Sequence, residues 1–155
     1  MSRKPTDKEL VATIHEIFAE KMPFNLLLGL EVLSLTDDIP VCRIAMRPEL
    51  VGNFMHGNLH GGVISSVIDA TGGLSAFLSI RSKLAGETVE VCQKRFARIG
   101  TIDLRIDYLR PGLGRWFECK AFLLRAGNKV AVVRMELHND EAALIAVGTG
   151  AYAVG

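Results

Sequence analysis

The stretch HGGVISSVIDATGGLSAFLSI, residues 60–80, decides the fold. From Gly61 onward it is apolar on nearly all sides of a helix, and such a helix is buried rather than lying on a surface. It also has the length of a membrane span. Asp69 stands near its middle, where an ionised carboxylate would be costly in a bilayer. We therefore expect the buried helix of a soluble, cytoplasmic protein that is not inserted in a membrane.

Strand patterns lie on both sides of this helix. Residues 101–108 alternate apolar and polar side chains, which is typical of a half-buried strand. Gly127-Asn128 marks a two-residue hairpin turn, and consecutive strands with tight turns pair antiparallel. The strands are predicted at 30–36, 41–46, 101–108, 115–126, 129–138 and 143–153. The sequence therefore predicts an α+β fold, with an antiparallel sheet of about six strands wrapped around one long central helix.

Three further segments complete the predicted order of elements. Residues 6–22 predict an extra N-terminal helix, with Thr6 at the N-cap and Glu9 at the capping-box position. Residues 51–59 have no periodicity and are predicted as a loop. Residues 87–98 are ambiguous, although Val89, Cys92 and Phe96 suit a short helix. Since no linker divides the chain, we expect one domain, residues 1–155.

Composition and charge exclude several classes of protein. Eighteen Lys and Arg against seventeen Asp and Glu leave a net charge of +1, so a nucleic-acid partner is not expected. Three cysteines without a CxxC motif predict neither a disulfide framework nor a metal site. The polar N-terminus lacks the apolar region of a signal peptide.

Two positions on the long helix are candidates for catalysis: its N-terminus and its middle. His60-Gly61-Gly62 lies where the loop becomes the helix, and the first N–H groups of a helix have no intrahelical acceptor and suit an oxygen that gains negative charge. The alternative is that these glycines only allow tight packing. Asp69 lies on a stripe of small and polar residues, which leaves room for a substrate or for a second copy of the same helix. It suits a general base or a nucleophile, or it is a structural carboxylate.

HGGVISSVIDATGG followed by GTIDLRIDYLRPG resembles the hotdog-fold acyl-CoA thioesterases of the phenylacetyl-CoA-thioesterase-like branch. The resemblance covers residues 48–155, and an Asp nine residues after the His of HGG is fairly specific to that branch. It implies a cytoplasmic hydrolase that acts on acyl-CoA and needs no cofactor, since CoA is part of the substrate. It also implies a homodimer, or a dimer of dimers, with the site between subunits.

The resemblance also implies a role for each matching residue. Asp69 is the catalytic carboxylate, and the Gly61 N–H polarises the thioester carbonyl. His60 orders the loop, and Asn53 positions the thioester or the water. Thr101 orients the water from the facing subunit. Gly62, beside Gly61, is expected to contact the substrate.

One departure from the family pattern concerns the loop before the helix. The run from Asn53 to His60 is one residue longer than usual, so Asn53 reaches the site through a bulge, or His56 or Asn58 replaces it. The ambiguous 87–98 segment is also longer than usual, and would form one side of an acyl pocket.

Substrate recognition is predicted from charge and from apolar content. Residues 81–125 carry ten Lys and Arg against five Asp and Glu, which suits a phosphorylated carrier such as CoA, with Arg110 and Arg115 the best candidates to bind phosphate. A supply of large apolar residues favours medium or long acyl chains: Phe24, Leu26, Leu27, Leu28, Phe54, Met55, Phe77 and Leu78. Two rival functions stay open, an acyl-thioester hydratase or dehydratase and a non-catalytic acyl-CoA-binding protein.

Overall fold

The computed structural model describes residues 7–84 and 86–155. Six strands form one antiparallel sheet in the order β1-β2-β6-β7-β8-β5, and they are β1 (Glu31–Ser34), β2 (Val41–Ala45), β5 (Gly100–Tyr108), β6 (Trp116–Ala126), β7 (Val130–Asn139) and β8 (Leu144–Ala153). The central helix α3 (Gly61–Leu78) packs against β2, β5, β6, β7 and β8. The predicted α+β hotdog architecture is therefore confirmed.

Helix α3 is a core helix of this domain. It is long and apolar enough to cross a membrane by length and composition alone, but more than half of it is buried inside the structure. Its buried side chains include Ile64, Val67, Ile68 and Leu74, which join the main hydrophobic core. Burial of these groups is what holds the helix against the sheet.

The N-terminal helix differs from the prediction in its second half. Helix α1 spans Asp7–Glu16, and a π-helical turn follows at Ile17–Lys21. Helix α2 (Pro23–Leu28) then ends at Gly29, whose left-handed φ of 67° suits glycine. The predicted N-cap, Thr6, lies outside the described residues.

Two segments that lacked a clear sequence signal form regular structure. The predicted loop at 51–59 contains a short hairpin of β3 (Val51–Asn53) and β4 (Asn58–Leu59), so that prediction was wrong. The ambiguous 87–98 segment contains helix α5 (Val89–Phe96), which follows the short helix α4 (Arg81–Leu84). The Thr88 hydroxyl caps α5 by accepting the Val91 N–H.

Strand β5 forms as predicted but is not half-buried within one chain. It lies at the edge of the sheet and pairs only with β8 in the described part of the chain. Ile102 and Tyr108 are 58% and 54% exposed, while Leu104 and Ile106 are partly buried. An edge strand that exposes apolar side chains is suited to pairing with another chain.

The approach of α3 to the sheet requires glycine at one of two adjacent helix positions. A Cβ atom at Gly72 would lie 2.1 Å from the Tyr152 hydroxyl oxygen and 2.9 Å from Met135 Sδ. A Cβ atom at Gly73 would lie 3.8 Å from the Tyr152 ring, which is an ordinary contact. The two neighbours should therefore respond in opposite ways to the same substitution.

We expect Gly72→Ala to lower the free energy of unfolding by about 1–3 kcal/mol, the usual cost of overpacking a core. Gly73→Ala should raise it by up to about 1 kcal/mol, because alanine is the better helix former. Urea unfolding of the two variants and the parent measures both effects. Equal destabilisation by the two substitutions would contradict this packing.

Candidate active site

The N-terminus of α3 presents one uncommitted amide. His60 is the N-cap residue, and its Nδ1 accepts the Gly62 N–H at 2.8 Å. The His60 carbonyl accepts the N–H groups of Val63 and Ile64. Within the described chain, this leaves the Gly61 N–H as the helix amide without an acceptor. The predicted oxyanion donor is therefore available, His60 orders the helix start as predicted, and the Gly62 N–H is already occupied.

A groove of about 340 Å³ adjoins Gly61. The Tyr108 hydroxyl donates to the Gly61 carbonyl at 3.2 Å, which fixes the orientation of the first helical turn. Asn58 and Arg110 line the same groove. Arg110 donates one N–H to the Leu144 carbonyl at 2.8 Å, and its side chain is exposed, so other guanidinium N–H groups can bind an anion.

The Asp69 residue is held through its side chain and its backbone by one cross-strand pair. Thr101 on β5 and Tyr152 on β8 are direct partners in the sheet. The Thr101 hydroxyl donates to Asp69 Oδ1 at 2.8 Å, and the Tyr152 hydroxyl donates to the Asp69 carbonyl at 3.3 Å. Burial and the nearby Asp69 charge raise the pKa of Tyr152, which keeps it a donor. A carboxylate has more acceptor positions than these contacts use, so Asp69 can also accept a proton.

The partly buried Asp69 carboxylate lines an apolar cavity of about 150 Å³. Four segments supply its walls: the π-helical turn with Met22, the end of α5 with the start of β5, the middle of α3, and the end of β8. The lining residues are Phe18, Met22, Asp69, Ala70, Gly73, Phe96, Ile99, Gly100, Thr101 and Tyr152. Of the 87–98 region, which was predicted to form one side of an acyl pocket, Phe96 lines this cavity.

Other large apolar residues were predicted to favour long chains, and none of them lines this cavity. Phe77, Leu78 and Leu28 belong to the core, whereas Phe24, Leu26, Leu27, Phe54 and Met55 are exposed. Composition alone could not separate these groups. Phe18 and Met22, which do line the cavity, carry no sequence signal beyond the apolar face of a helix.

The division of the site between subunits differs from the prediction. Thr101 contacts Asp69 within one chain, so it is not supplied by the facing subunit for this contact. Gly61 and Asp69 are eight positions apart on α3, about 12 Å at 1.5 Å per residue. One carbonyl group cannot contact both from a single chain, and they line separate clefts.

The loop residues predicted to position the substrate are not brought together. The side-chain Oδ1 of Asn53 accepts the Met55 N–H at 3.0 Å. The backbone carbonyl of Asn53 accepts the N–H groups of His56 and Gly57. Asn53 and His56 are exposed and line neither cleft, whereas Asn58 lines the groove at Gly61. The extra residue is accommodated in the hairpin turn, where Gly57 has φ 66°.

Arg115, the second residue predicted to bind phosphate, is paired with a carboxylate at the surface. Its Nε donates to Asp140 Oδ2 at 2.7 Å, and its backbone N–H donates to Oδ1 at 3.0 Å. These hydrogen bonds hold the pKa of Asp140 below its usual value. Since Arg110 lines the groove at Gly61 and Arg115 does not, Arg110 is the better-placed phosphate ligand.

The cysteines are packing residues rather than nucleophiles. Burial raises the pKa of Cys42 to about 12, and burial also raises the pKa of Cys119. Thiolates are therefore disfavoured at both positions. No group of three or more His, Cys, Asp or Glu in the described residues is placed to hold a metal ion.

A carboxylate on the central helix of a hotdog domain, beside an apolar cavity, defines a hotdog enzyme of the kind that acts on acyl thioesters. The family model for the thioesterase superfamily matches residues 56–146. The chain belongs to the thioesterase superfamily.

Individual relatives agree with this assignment. The chain is 42% identical over 155 residues, 100% of both chains, to the medium/long-chain acyl-CoA thioesterase YigI of Escherichia coli K12. A crystal structure from Shewanella oneidensis, related to the thioesterase superfamily, has 44% identity and a TM-score of 0.91, covering 98% of this chain and 99% of that one. A mutant form of the phenylacetic acid degradation protein PaaI of Thermus thermophilus has 26% identity and a TM-score of 0.66, covering 85% and 98%.

We expect Thr101→Val to reduce thioester hydrolysis by about tenfold to a hundredfold, because a hydrogen bond to a charged group contributes about 1.5–3 kcal/mol. Valine keeps the shape of threonine but cannot donate to Asp69. Thr101→Ser retains the donor and should keep most of the activity. Steady-state rates of both variants decide the point, and equal rates would show that the hydroxyl is dispensable.

Proposed function

We propose that this protein is an acyl-CoA thioesterase that hydrolyses medium- or long-chain acyl-CoA to the free acid and CoA. The observation that carries the proposal is the Asp69 carboxylate, held by Thr101 at the wall of an apolar cavity. An apolar acyl chain would occupy the cavity and place its thioester next to the carboxylate. The 42% identity to a medium/long-chain acyl-CoA thioesterase over the whole chain supports this substrate class.

In the proposed reaction, water attacks the thioester carbonyl while Asp69 Oδ2 accepts a proton from it. The Thr101 hydroxyl holds Oδ1, so the other oxygen faces the water. A C–O bond forms, the C–S bond breaks, and the proton passes to the departing thiolate. The developing oxyanion requires a preorganised N–H donor, and the Gly61 N–H at the helix N-terminus supplies one.

The separation of Gly61 from Asp69 supports a homodimer with shared sites. Gly61, Ser65 and Asp69 are spaced by four residues and therefore lie on one face of α3. If α3 of a second copy packs antiparallel on this face, with Ser65 at the two-fold axis, Gly61 of each copy lies beside Asp69 of the other. A two-fold interface makes each contact twice, so the dimer has two complete sites. The exposed edge of β5 offers a second surface for the same association.

Arg110 is the proposed phosphate ligand for CoA. Arg110 lines the groove at Gly61, and the CoA portion of a substrate bound at the Gly61 N–H would extend along this groove. Neither nucleic acid nor a membrane is a proposed partner. Assembly into a dimer of dimers and a cytoplasmic location remain predictions from the sequence.

The rival functions lack a supporting observation. A hydratase or dehydratase of this fold would use a histidine with an acid, but no histidine lines the cavity at Asp69 in the described residues. His60 is committed to the helix cap. A non-catalytic binding protein would have no need for the carboxylate to be held at a cavity wall.

We expect Asp69→Asn to reduce turnover of acyl-CoA by about two to four orders of magnitude, the contribution of a general base. Asparagine keeps the volume but cannot accept the proton from water. Asp37→Asn is the matched control and should leave turnover unchanged, because Asp37 is exposed, lines neither cleft and has a left-handed φ of 55° that asparagine also adopts. If Asp69→Asn retained more than about a tenth of the activity, Asp69 would be structural and not a general base.

We expect Gly61→Pro to lose activity while Gly61→Ala keeps it. Proline removes the N–H but suits the first position of a helix, and the extended backbone of His60 (φ −62°, ψ 135°) is compatible with a following proline. Alanine retains the donor, and its Cβ would lie 3.5 Å from the Tyr108 ring, an ordinary contact. Rates and circular dichroism of both variants separate loss of the donor from loss of the helix.

The same variant tests the shared site. Inactive Gly61→Pro chains mixed with inactive Asp69→Asn chains should regain about a quarter of wild-type activity, because a mixed two-fold dimer contains one intact site. If each site came from a single chain, mixing would restore nothing. Subunit exchange is confirmed with differently tagged chains.

A further inference from the structure

The apolar cavity beside Asp69 is bounded by two phenylalanine rings from different segments. Phe18 comes from the π-helical turn after α1, and Phe96 comes from the end of α5. We propose that the Phe18–Phe96 pair forms the end of the acyl pocket and sets the longest acyl chain that the enzyme accepts. This inference rests on the proposed thioesterase function and adds the residues that select the substrate.

The two rings are held in place by the core. Phe18 meets Phe96 edge to face, with ring centroids 6.1 Å apart and an interplanar angle of 88°. Phe96 in turn meets Phe77 of α3 at 5.0 Å and 79°. Aromatic pairs prefer this arrangement. Phe18 and Phe77 are only 3% and 2% exposed. Packing against these buried rings therefore restricts the rotation of Phe96.

The backbone that carries Phe18 is also fixed. Phe18 lies in the π-helical turn Ile17–Lys21. Such turns are rare in proteins, and those that occur are often at functional sites. The Asn25 side chain, only 2% exposed, donates its Nδ2 to the Phe18 carbonyl at 2.9 Å. A buried amide thus holds the turn whose ring closes the pocket. Met22, which follows the turn, lines the same cavity with a flexible side chain.

The position of the two rings makes them the limiting contact. Both line the cavity of about 150 Å³ beside Asp69, and the core supports them. An acyl chain of the preferred length ends in front of the rings, whereas a longer chain must press against them. Phe18 and Met22 precede the segment that matches the family model, residues 56–146. The proposed pocket end therefore combines Phe18, from outside the matched thioesterase segment, with Phe96 from inside it.

Two substitutions change the cavity in opposite directions. Phe18→Leu shortens the side chain at the end of the pocket, whereas Gly73→Ala adds a methyl group to its wall 3.8 Å from the Tyr152 ring without a clash. The measurement is kcat/KM for straight-chain acyl-CoAs of increasing length. We expect the preference for longer over shorter chains to rise about tenfold in Phe18→Leu and to fall about tenfold in Gly73→Ala, the discrimination of one methylene in an apolar pocket.

The matched control is Phe122→Leu, the same change at a partly buried position on β6 that does not line the cavity. Its length profile should equal that of the parent. An unchanged profile in Gly73→Ala and in folded Phe18→Leu, or an equal shift in Phe122→Leu, would overturn the inference. If Phe18→Leu fails to fold, Phe96→Leu, which shortens the partly buried partner ring, decides instead. A parent protein that hydrolyses no acyl-CoA of any length would instead overturn the proposed function, so the two failures are distinguishable.

Discussion

The close contact between α3 and strand β8 is the constraint on which the rest of the structure depends. A Cβ atom at Gly148 would lie 2.5 Å from Ile68 of the helix, and one at Gly72 would lie 2.1 Å from the Tyr152 hydroxyl. Only hydrogen atoms fit at these positions, so the helix has one permitted height and register over the strand. That register places the Asp69 carbonyl within reach of Tyr152 and, through the β5·β8 pairing, the carboxylate within reach of Thr101.

The position of Asp69 resolves a conflict between burial and charge. A carboxylate in the middle of an apolar helix would pay a large desolvation cost if it were fully enclosed. Asp69 is only partly buried, and the exposed Thr101 hydroxyl donates to it. The charge therefore lies at the boundary between water and an apolar cavity. Hydrolysis of a thioester with an apolar tail needs this boundary, because water and the acyl chain must meet at the same carbonyl.

Local patterns predicted the elements, and non-local contacts decided the site. The long helix, the six strands and the Gly127-Asn128 turn follow from periodicity and turn chemistry, and Asp69 and Gly61 follow from the motif around them. Thr101 was assigned to the wrong subunit because sequence spacing does not reveal that it pairs with Tyr152, near the far end of the chain. The partner of Arg115 lies 25 residues away in sequence, so its neutralisation had no local signal either.

The proposed oxyanion donor, the Gly61 N–H, and the Asp69 carboxylate lie on the same helix but are too far apart to act on one carbonyl group. The donor at Gly61 must be at the helix N-terminus, since only there is an N–H free of an intrahelical acceptor. The carboxylate must be further along, since only there does the helix pass the cavity and the β5·β8 pair. A rigid helix keeps them about 12 Å apart, and no side-chain movement closes that distance. In the proposed antiparallel dimer, a second helix brings the two groups together, because spacings of four residues place Gly61, Ser65 and Asp69 on one shared face. In that proposed dimer, association completes a site that each single chain leaves divided.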